Sequence, residues 1–189
     1  MVDREREESM SFSRESDMAA PVIAWLEGIG MDQVKKEFLN PWQSCDLAAI
    51  RFDPEKTALR LLMGQKKPVI NWIDKAQPFI ENPPAWHPIH SRIIAVELKL
   101  RRIKEALGQA RGNLRFAEES YVAFPEQVAL RVASSNRWLG YFTLGIGLLS
   151  VSGEGCFMVL PSAGNCSVDK AIQFYCAEKF WRTRKVRRA

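Results

Sequence analysis

The sequence has no CxxC pair, only two histidines and no long uninterrupted apolar run. The four cysteines, Cys45, Cys156, Cys166 and Cys176, are too scattered for a zinc site built on paired thiolates. His87 and His90 lie three apart in a Pro-rich stretch with no helix to fix their spacing, so they read as structural groups rather than metal ligands. The longest apolar stretch, Leu139 to Val151, holds three glycines. It falls short of the roughly 20 residues that a helix needs to cross a bilayer, so no membrane partner is expected. Internal repeats and low-complexity segments are also missing, which excludes a solenoid. With no signal peptide at its start, the chain is expected in the cytoplasm with its thiols reduced.

What is present is ordinary in amount. A chain of 189 residues with 47% hydrophobic composition suits one domain with a real core. Six tryptophans and 26% charged residues argue against wholesale disorder. The net charge of +5 suits an anionic partner without proving one. The ends differ. Residues 1 to about 12 are polar and expected to be loose, whereas Arg182-Thr183-Arg184-Lys185-Val186-Arg187-Arg188 is a basic tail. That tail is either a solvated helix end or an arm that contacts phosphates.

Periodicity places the elements between them. A helix is predicted from near Ser13 to Glu27, with Met18, Ala19, Val22, Ile23 and Leu26 on one stripe and Glu15 continuing it. Pro21 inside it demands a kink or a late start. Strands are predicted over Met31–Leu39 and Cys45–Phe52, with a turn at Asn40-Pro41 between them. Residues 54–90 read as an insertion, in which Thr57–Met63 fits helix or strand equally. Ile93–Leu100 follows as a buried strand. Ile103, Leu107, Ala110, Leu114 and Ala117 form a helical stripe, with Arg102, Lys104, Arg111 and Arg115 off it. Tyr121–Phe124 is a short strand, Pro125 opens a helix to about Ser135, and Tyr141–Val151 and Cys156–Leu160 form a hairpin. Val168–Arg184 closes the chain as a helix. The helix between the Ile93 and Tyr121 strands is a crossover, so those strands should be parallel and the earlier ones antiparallel. A mixed sheet with helices on both faces follows, giving an α/β class.

The strand at Ile93 ends in Glu97-Leu98-Lys99, the only acid-x-Lys in the chain. Period-2 geometry puts Glu97 and Lys99 on one face, where a carboxylate and an ammonium are costly unless used. An ion pair on a half-exposed edge strand is the plain alternative. If this strand pairs with the Cys45–Phe52 strand, Asp46 sits beside Glu97. Adjacent carboxylates repel unless protonated or bridged by a cation. Oxygen-only donors favour Mg²⁺ or Mn²⁺. Lys99 would then face the same point and could orient water or stabilise charge developing on a phosphoryl group.

The order Glu15, Asp46, Glu97-Leu98-Lys99 resembles the PD-(D/E)XK nuclease superfamily, which includes restriction endonucleases and Holliday-junction resolvases. Arg14-Glu15-Ser16-Asp17-Met18 with Pro21-Val22-Ile23-Ala24-Trp25-Leu26 is similar to the first helix of a bacterial, uncharacterised branch of it. Glu37 and the run from Gln109-Ala110-Arg111 to Tyr121-Val122-Ala123-Phe124-Pro125 resemble that branch too, so the likeness covers about residues 13 to 160. Cys45 stands where the motif has proline, and the gap from Asp46 to Glu97 is long.

The resemblance implies a restriction endonuclease-like mixed sheet with an αβββαβ core, spanning residues 13–181 and followed by the tail at 182–189. It implies that Asp46, Glu97 and the Leu98 carbonyl hold Mg²⁺ or Mn²⁺, with Glu15 the helix-borne acid near the metal. Lys99 would be the catalytic lysine and Gln109 a supporting polar group. DNA is the implied partner, with Arg102, Lys104, Arg111, Arg115, Arg182, Arg184 and Lys185 as backbone contacts. Such nucleases often act as homodimers, although no dimer seam is visible in the sequence. Two rival readings remain: the same fold as a catalytically silent module that binds nucleic acid or a protein, and a structural protein with an incidental basic surface.

Overall fold

The computed structural model describes residues 12–40, 43–62, 70–74, 77–80, 89–164 and 168–183. The N-terminal segment through residue 11, Trp86, His87, Cys166, Arg184 and Lys185 lie outside the described residues.

The first helical segment starts later than the stripe suggests. Glu15–Met18 is a 3-10 turn, and the α-helix α1 runs Ala19–Gly28. Pro21 therefore sits in the first turn of α1, where backbone N–H groups have no intrahelical acceptor, and no kink is needed. Strand β1 (Gln33–Leu39) turns into β2 (Ser44–Phe52) through Asn40, whose amide bonds the Gln43 carbonyl at 2.9 Å and whose Oδ1 accepts from the Gln43 amide at 3.0 Å. The ambiguous stretch after β2 is helical: α2 spans Pro54–Leu62. Proline at its first position and Asp53 accepting from the Lys56 amide at 3.1 Å start it. The rest of the insertion includes a two-stranded hairpin, β3 (Ile70–Asp74) and β4 (Gln77–Ile80).

The chain continues through β5 (His90–Leu98), α3 (Ile103–Asn113), β6 (Glu119–Pro125) and α4 (Glu126–Ala133). The strand expected from Tyr141 is corrected here. Asn136–Trp138 forms a 3-10 turn and Leu139–Phe142 a short helix, α5, so β7 begins only at Ile146 and ends at Ser152. Trp138, Tyr141 and Phe142 have helical spacing and pack on one core cluster. Gly145, at φ +96, makes the break; a Cβ there would stand 2.9 Å from the Gly164 carbonyl oxygen. β8 (Gly155–Leu160) completes the hairpin, and α6 (Lys170–Arg182) closes the fold with Asp169 capping the Ala171 and Ile172 amides.

Six strands form one mixed sheet in the order β1-β2-β5-β6-β7-β8. β1, β2 and β5 are antiparallel, β5-β6 and β6-β7 parallel, and β7-β8 antiparallel. Alternation along β5 and β6 sorts the core. Ile94, Val96, Tyr121 and Ala123 point to one face, where Met18, Val22 and Leu26 from the first helical segment cover them. Ile93 and Ala95 point to the other, under Ile172, Cys176 and Phe180 of α6. Val122 and Phe124 lie on that same side, under Leu107 and Ala110 of α3 and Val128 and Val132 of α4. Each large side chain fully buried in this way contributes about 1.5–3 kcal/mol relative to exposure. Among the described residues no helix is long and apolar enough to cross a membrane.

Candidate active site

The site forms where the β2–β5 ladder runs out. Leu47 pairs with Val96, and the same register carried one step further sets Asp46 opposite Glu97. Past that point β2 runs on to Ser44 without pairing with β5, and the Leu98 amide has no ladder partner there. It donates instead to Asp46 Oδ2 at 2.7 Å. The Lys99 amide, pointing the other way, donates to the Ala123 carbonyl of β6 at 3.1 Å. The chain is thus pinned from both sides at Glu97-Leu98-Lys99.

Lys99 stands just beyond the strand, with its side chain 8% exposed. Its Nζ lies 3.1 Å from the Leu98 carbonyl oxygen, 3.3 Å from Asp46 Oδ2 and 3.5 Å from Glu15 Oε2. Burial works against the ammonium, but the charges of Asp46 and Glu15 outweigh it and hold Lys99 above its usual range. Glu15 is delivered by the 3-10 turn. Asp17 fixes that turn by accepting from Ser13 Oγ at 3.0 Å and the Arg14 amide at 2.9 Å, while fully buried Met18 anchors it to the sheet.

Glu97 is 1% exposed and faces α3. Asn113 Nδ2 donates to its Oε1 at 2.7 Å, and Asn113 Oδ1 accepts from Gln43 Nε2 at 2.5 Å. Burial pushes the Glu97 carboxyl up to about 8; the Asn113 bond opposes this, and the nearby Asp46 charge adds to it. Cys45, next to Asp46, is buried, and burial raises its thiol well above the usual range, so it is no nucleophile.

A pocket of about 170 Å³ opens on Asp46 and Leu98, lined also by Glu15, Ser16, Ala19, Lys36, Glu37 and Leu47. Among the described residues no three His, Cys, Asp or Glu side chains come close enough together to hold one ion. The donors that do converge are Glu15 Oε2, Asp46 Oδ2 and the Leu98 carbonyl oxygen, gathered on one positive atom, Lys99 Nζ. An oxygen-only set drawn together by a cation fits a hard divalent ion. Relief of the buried, repelled Glu97 carboxyl would add to that fit. Among the described residues no imidazole competes for the role. His90 begins β5 at the opposite end of the strand, with Nε2 3.4 Å from Glu118 Oε1.

Glu15, Asp46, the Leu98 carbonyl and Lys99 are therefore brought together, with Glu97 opposite Asp46 in register and bonded to Asn113 of α3. Gln109 is not hydrogen-bonded to them, and its Oε1 is buried without a partner. Asn113, one turn later on α3, makes the contact to Glu97. Arg102, Lys104, Arg111 and Arg115 are exposed along or beside α3, and Arg102 reaches Glu105 at 3.4 Å. Arg182 is the exposed last residue of α6. The sequence reading missed Asn113, Gln43, Lys36 and Ser16. Gly112-Asn113 has the look of a helix stop, which conceals a buried amide that bridges two elements.

No family model and no curated protein matches the chain. Among solved structures, a protein of unknown function from Silicibacter pomeroyi is similar, with a TM-score of 0.52 and 14% identity over 89% of this chain and 85% of that one. At that identity the likeness shows the fold alone.

Proposed function

We propose that this protein is a divalent-cation-dependent nuclease of the PD-(D/E)XK kind that hydrolyses DNA phosphodiester bonds. The observation that carries the reading is the convergence of Glu15, Asp46 and the Leu98 carbonyl on Lys99, beside the buried Glu97. The order α1, β1, β2, β5, α3, β6 supports it, since it follows the αβββαβ plan with α2 and the β3–β4 hairpin set between the second and third strands.

Asp46, Glu97 and the Leu98 carbonyl would hold Mg²⁺ or Mn²⁺, with Glu15 completing the acidic side. The ion supplies Lewis-acid chemistry there, neutralising phosphoryl charge and making water a better nucleophile. In the reaction a water oxygen bonds to phosphorus as the bond from phosphorus to the leaving sugar oxygen breaks. The attacking water gives up a proton and the leaving oxygen gains one. Lys99, held as an ammonium by Asp46 and Glu15, is suited to stabilise charge on the phosphoryl oxygens and unsuited to act as a base. Lys104 and Arg111 on the exposed side of α3, Arg102 and Arg115 just beyond its two ends, and Arg182 at the end of α6 are the backbone contacts, joined by Arg184 and Lys185 of the tail.

The silent-module reading keeps one observation in its favour: Lys99 already neutralises Asp46 and Glu15 without a metal. Plasmid nicking in Mn²⁺ or Mg²⁺ decides between the two. The nuclease reading expects cleavage that stops in Lys99→Ala and Asp46→Asn, with circular dichroism spectra unchanged. A wild-type protein that binds DNA but never nicks it supports the silent module.

A further inference from the structure

The pocket has a second cation that the acid cluster does not use. Lys36 lies on β1 and pairs with Leu47 across the β1–β2 ladder, so it projects to the same face as Leu47, the one that α1 covers. Lys35 goes the other way, with its Nζ 2.9 Å from the Lys179 carbonyl oxygen and 4.9 Å from the centre of the Phe180 ring. The Lys36 side chain has no hydrogen-bond or ion-pair partner among the described residues, and it is exposed.

The backbone at this point is built to crowd the pocket. Neighbours on a strand ordinarily face opposite sides, yet Lys36 and Glu37 both line the same cavity. The paired positions pass from Lys36–Leu47 to Phe38–Cys45, and between them, opposite Asp46, Glu37 takes φ +48. It is the only non-glycine residue with positive φ among the described residues. Such a conformation is retained against its cost only where the surroundings demand it, most often beside a site.

The charges say what enters. Glu15, Glu37 and Asp46 line the pocket, and Lys99 is already engaged by three oxygens. An anionic phosphodiester that reaches Asp46 needs a cation that is free to receive it, and Lys36 is the pocket-lining residue able to do so. We infer that Lys36 is a substrate-binding residue that holds a non-bridging oxygen of the nucleic-acid phosphate at the mouth of the site. This rests on the nuclease reading. A single ammonium acts as a point charge, which suits backbone binding without sequence preference.

The experiment uses the full chain, a fluorescein-labelled oligonucleotide duplex and Mn²⁺, with anisotropy and strand cleavage read on the same samples. Lys36→Ala is expected to weaken binding about threefold to tenfold and to lower the slope of log affinity against log salt by about one. KM should rise by the same factor with kcat little changed, and Lys36→Arg should recover most of the affinity. Wild type and Lys36→Ala binding with equal affinity and equal salt slope overturns the assignment alone. Wild-type binding without cleavage overturns the nuclease reading alone, and the affinity difference then judges Lys36. Failure of the wild type to bind the duplex at low salt overturns both.

Discussion

Glu97→Gln should make the protein more stable at alkaline pH, by an amount that grows with pH. An ordinary glutamate carboxyl titrates near 4.5, and burial holds Glu97 at about 8. Between those values the folded protein keeps a proton that the unfolded chain has lost. Native stability therefore falls as pH rises, by about 1.4 kcal/mol per pH unit and roughly 5 kcal/mol over the whole window. Below pH 4.5 the contribution is constant, and above pH 8 the loss is complete. Glutamine has nearly the shape of the protonated acid. Its oxygen can accept from Asn113 as Glu97 does now, and its amide can donate towards Asp46. At pH 5 the two proteins should be about equally stable, and by pH 8 the variant should lead by several kcal/mol. Urea unfolding followed by tryptophan fluorescence at five pH values from 5 to 9 measures the gap directly. Stability curves that run parallel across that range would refute the reasoning, because a Glu97 that ionises normally leaves no window. Mn²⁺ adds a second arm. A cation held by the Glu97 carboxylate favours the ionised form and should flatten the wild-type curve, with about 2.7 kcal/mol of added stability at a hundredfold excess over Kd. Glu97→Gln should gain much less.

Three further outcomes are expected. Glu37→Gly should raise stability by about 0.5–1 kcal/mol in urea, because glycine adopts the φ of +48 freely; a less stable variant would show that the turn in β1 is unstrained. Arg60 of α2 and Glu178 of α6 are both buried and ion-paired, with Arg60 also 5.4 Å from the Trp181 ring centre. Arg60→Ala alone should cost about 3–5 kcal/mol, whereas Arg60→Met with Glu178→Leu should cost far less, and a double-mutant cycle reads the difference. Lys104→Glu with Arg111→Glu should weaken DNA binding evenly across sequences and lower the salt slope by roughly two; an unchanged slope would place α3 away from the DNA backbone.

Much of this architecture is legible in the sequence, and for identifiable reasons. Continuous apolar runs at Leu47–Ile50 and Ile93–Val96 mark strands buried on both faces, and the stripe from Ile103 to Ala110 marks the crossover that makes β5 and β6 parallel. Asp46 beside Glu97 is legible only on the condition that β2 pairs with β5, because neighbouring strands can still slip in register; the pairing of Leu47 with Val96 sets it. Local rules failed where another part of the chain decides. Tyr141 and Phe142 sit in a run that reads as strand, yet Gly145 and its close approach to Gly164 end the helix and start β7 later. Glu37 carries no signal of a left-handed backbone, since glutamate rarely adopts one. Asn113 could not be told from Gln109 by spacing alone; the packing of α3 on β5 decides which amide meets Glu97.

The position of the acids follows from the topology itself. β5 is antiparallel to β2 on one side and parallel to β6 on the other, so its last amides need acceptors from two differently directed neighbours. β6 still supplies the Ala123 carbonyl to Lys99, but the pairing of β2 with β5 has already stopped at Leu47–Val96, and the Leu98 amide turns to the Asp46 side chain. A carboxylate at Asp46 satisfies that amide, and an uncharged acceptor would have done so too. Choosing a carboxylate brings a negative charge beside buried Glu97, and that charge in turn requires Lys99. An asparagine at position 46 could cap the ladder without either burden. The fold therefore leaves a gap that any acceptor could fill, and the charged solution is costly for folding alone. On the proposed nuclease reading, that cost would be offset where the same oxygens hold a cation against a phosphate.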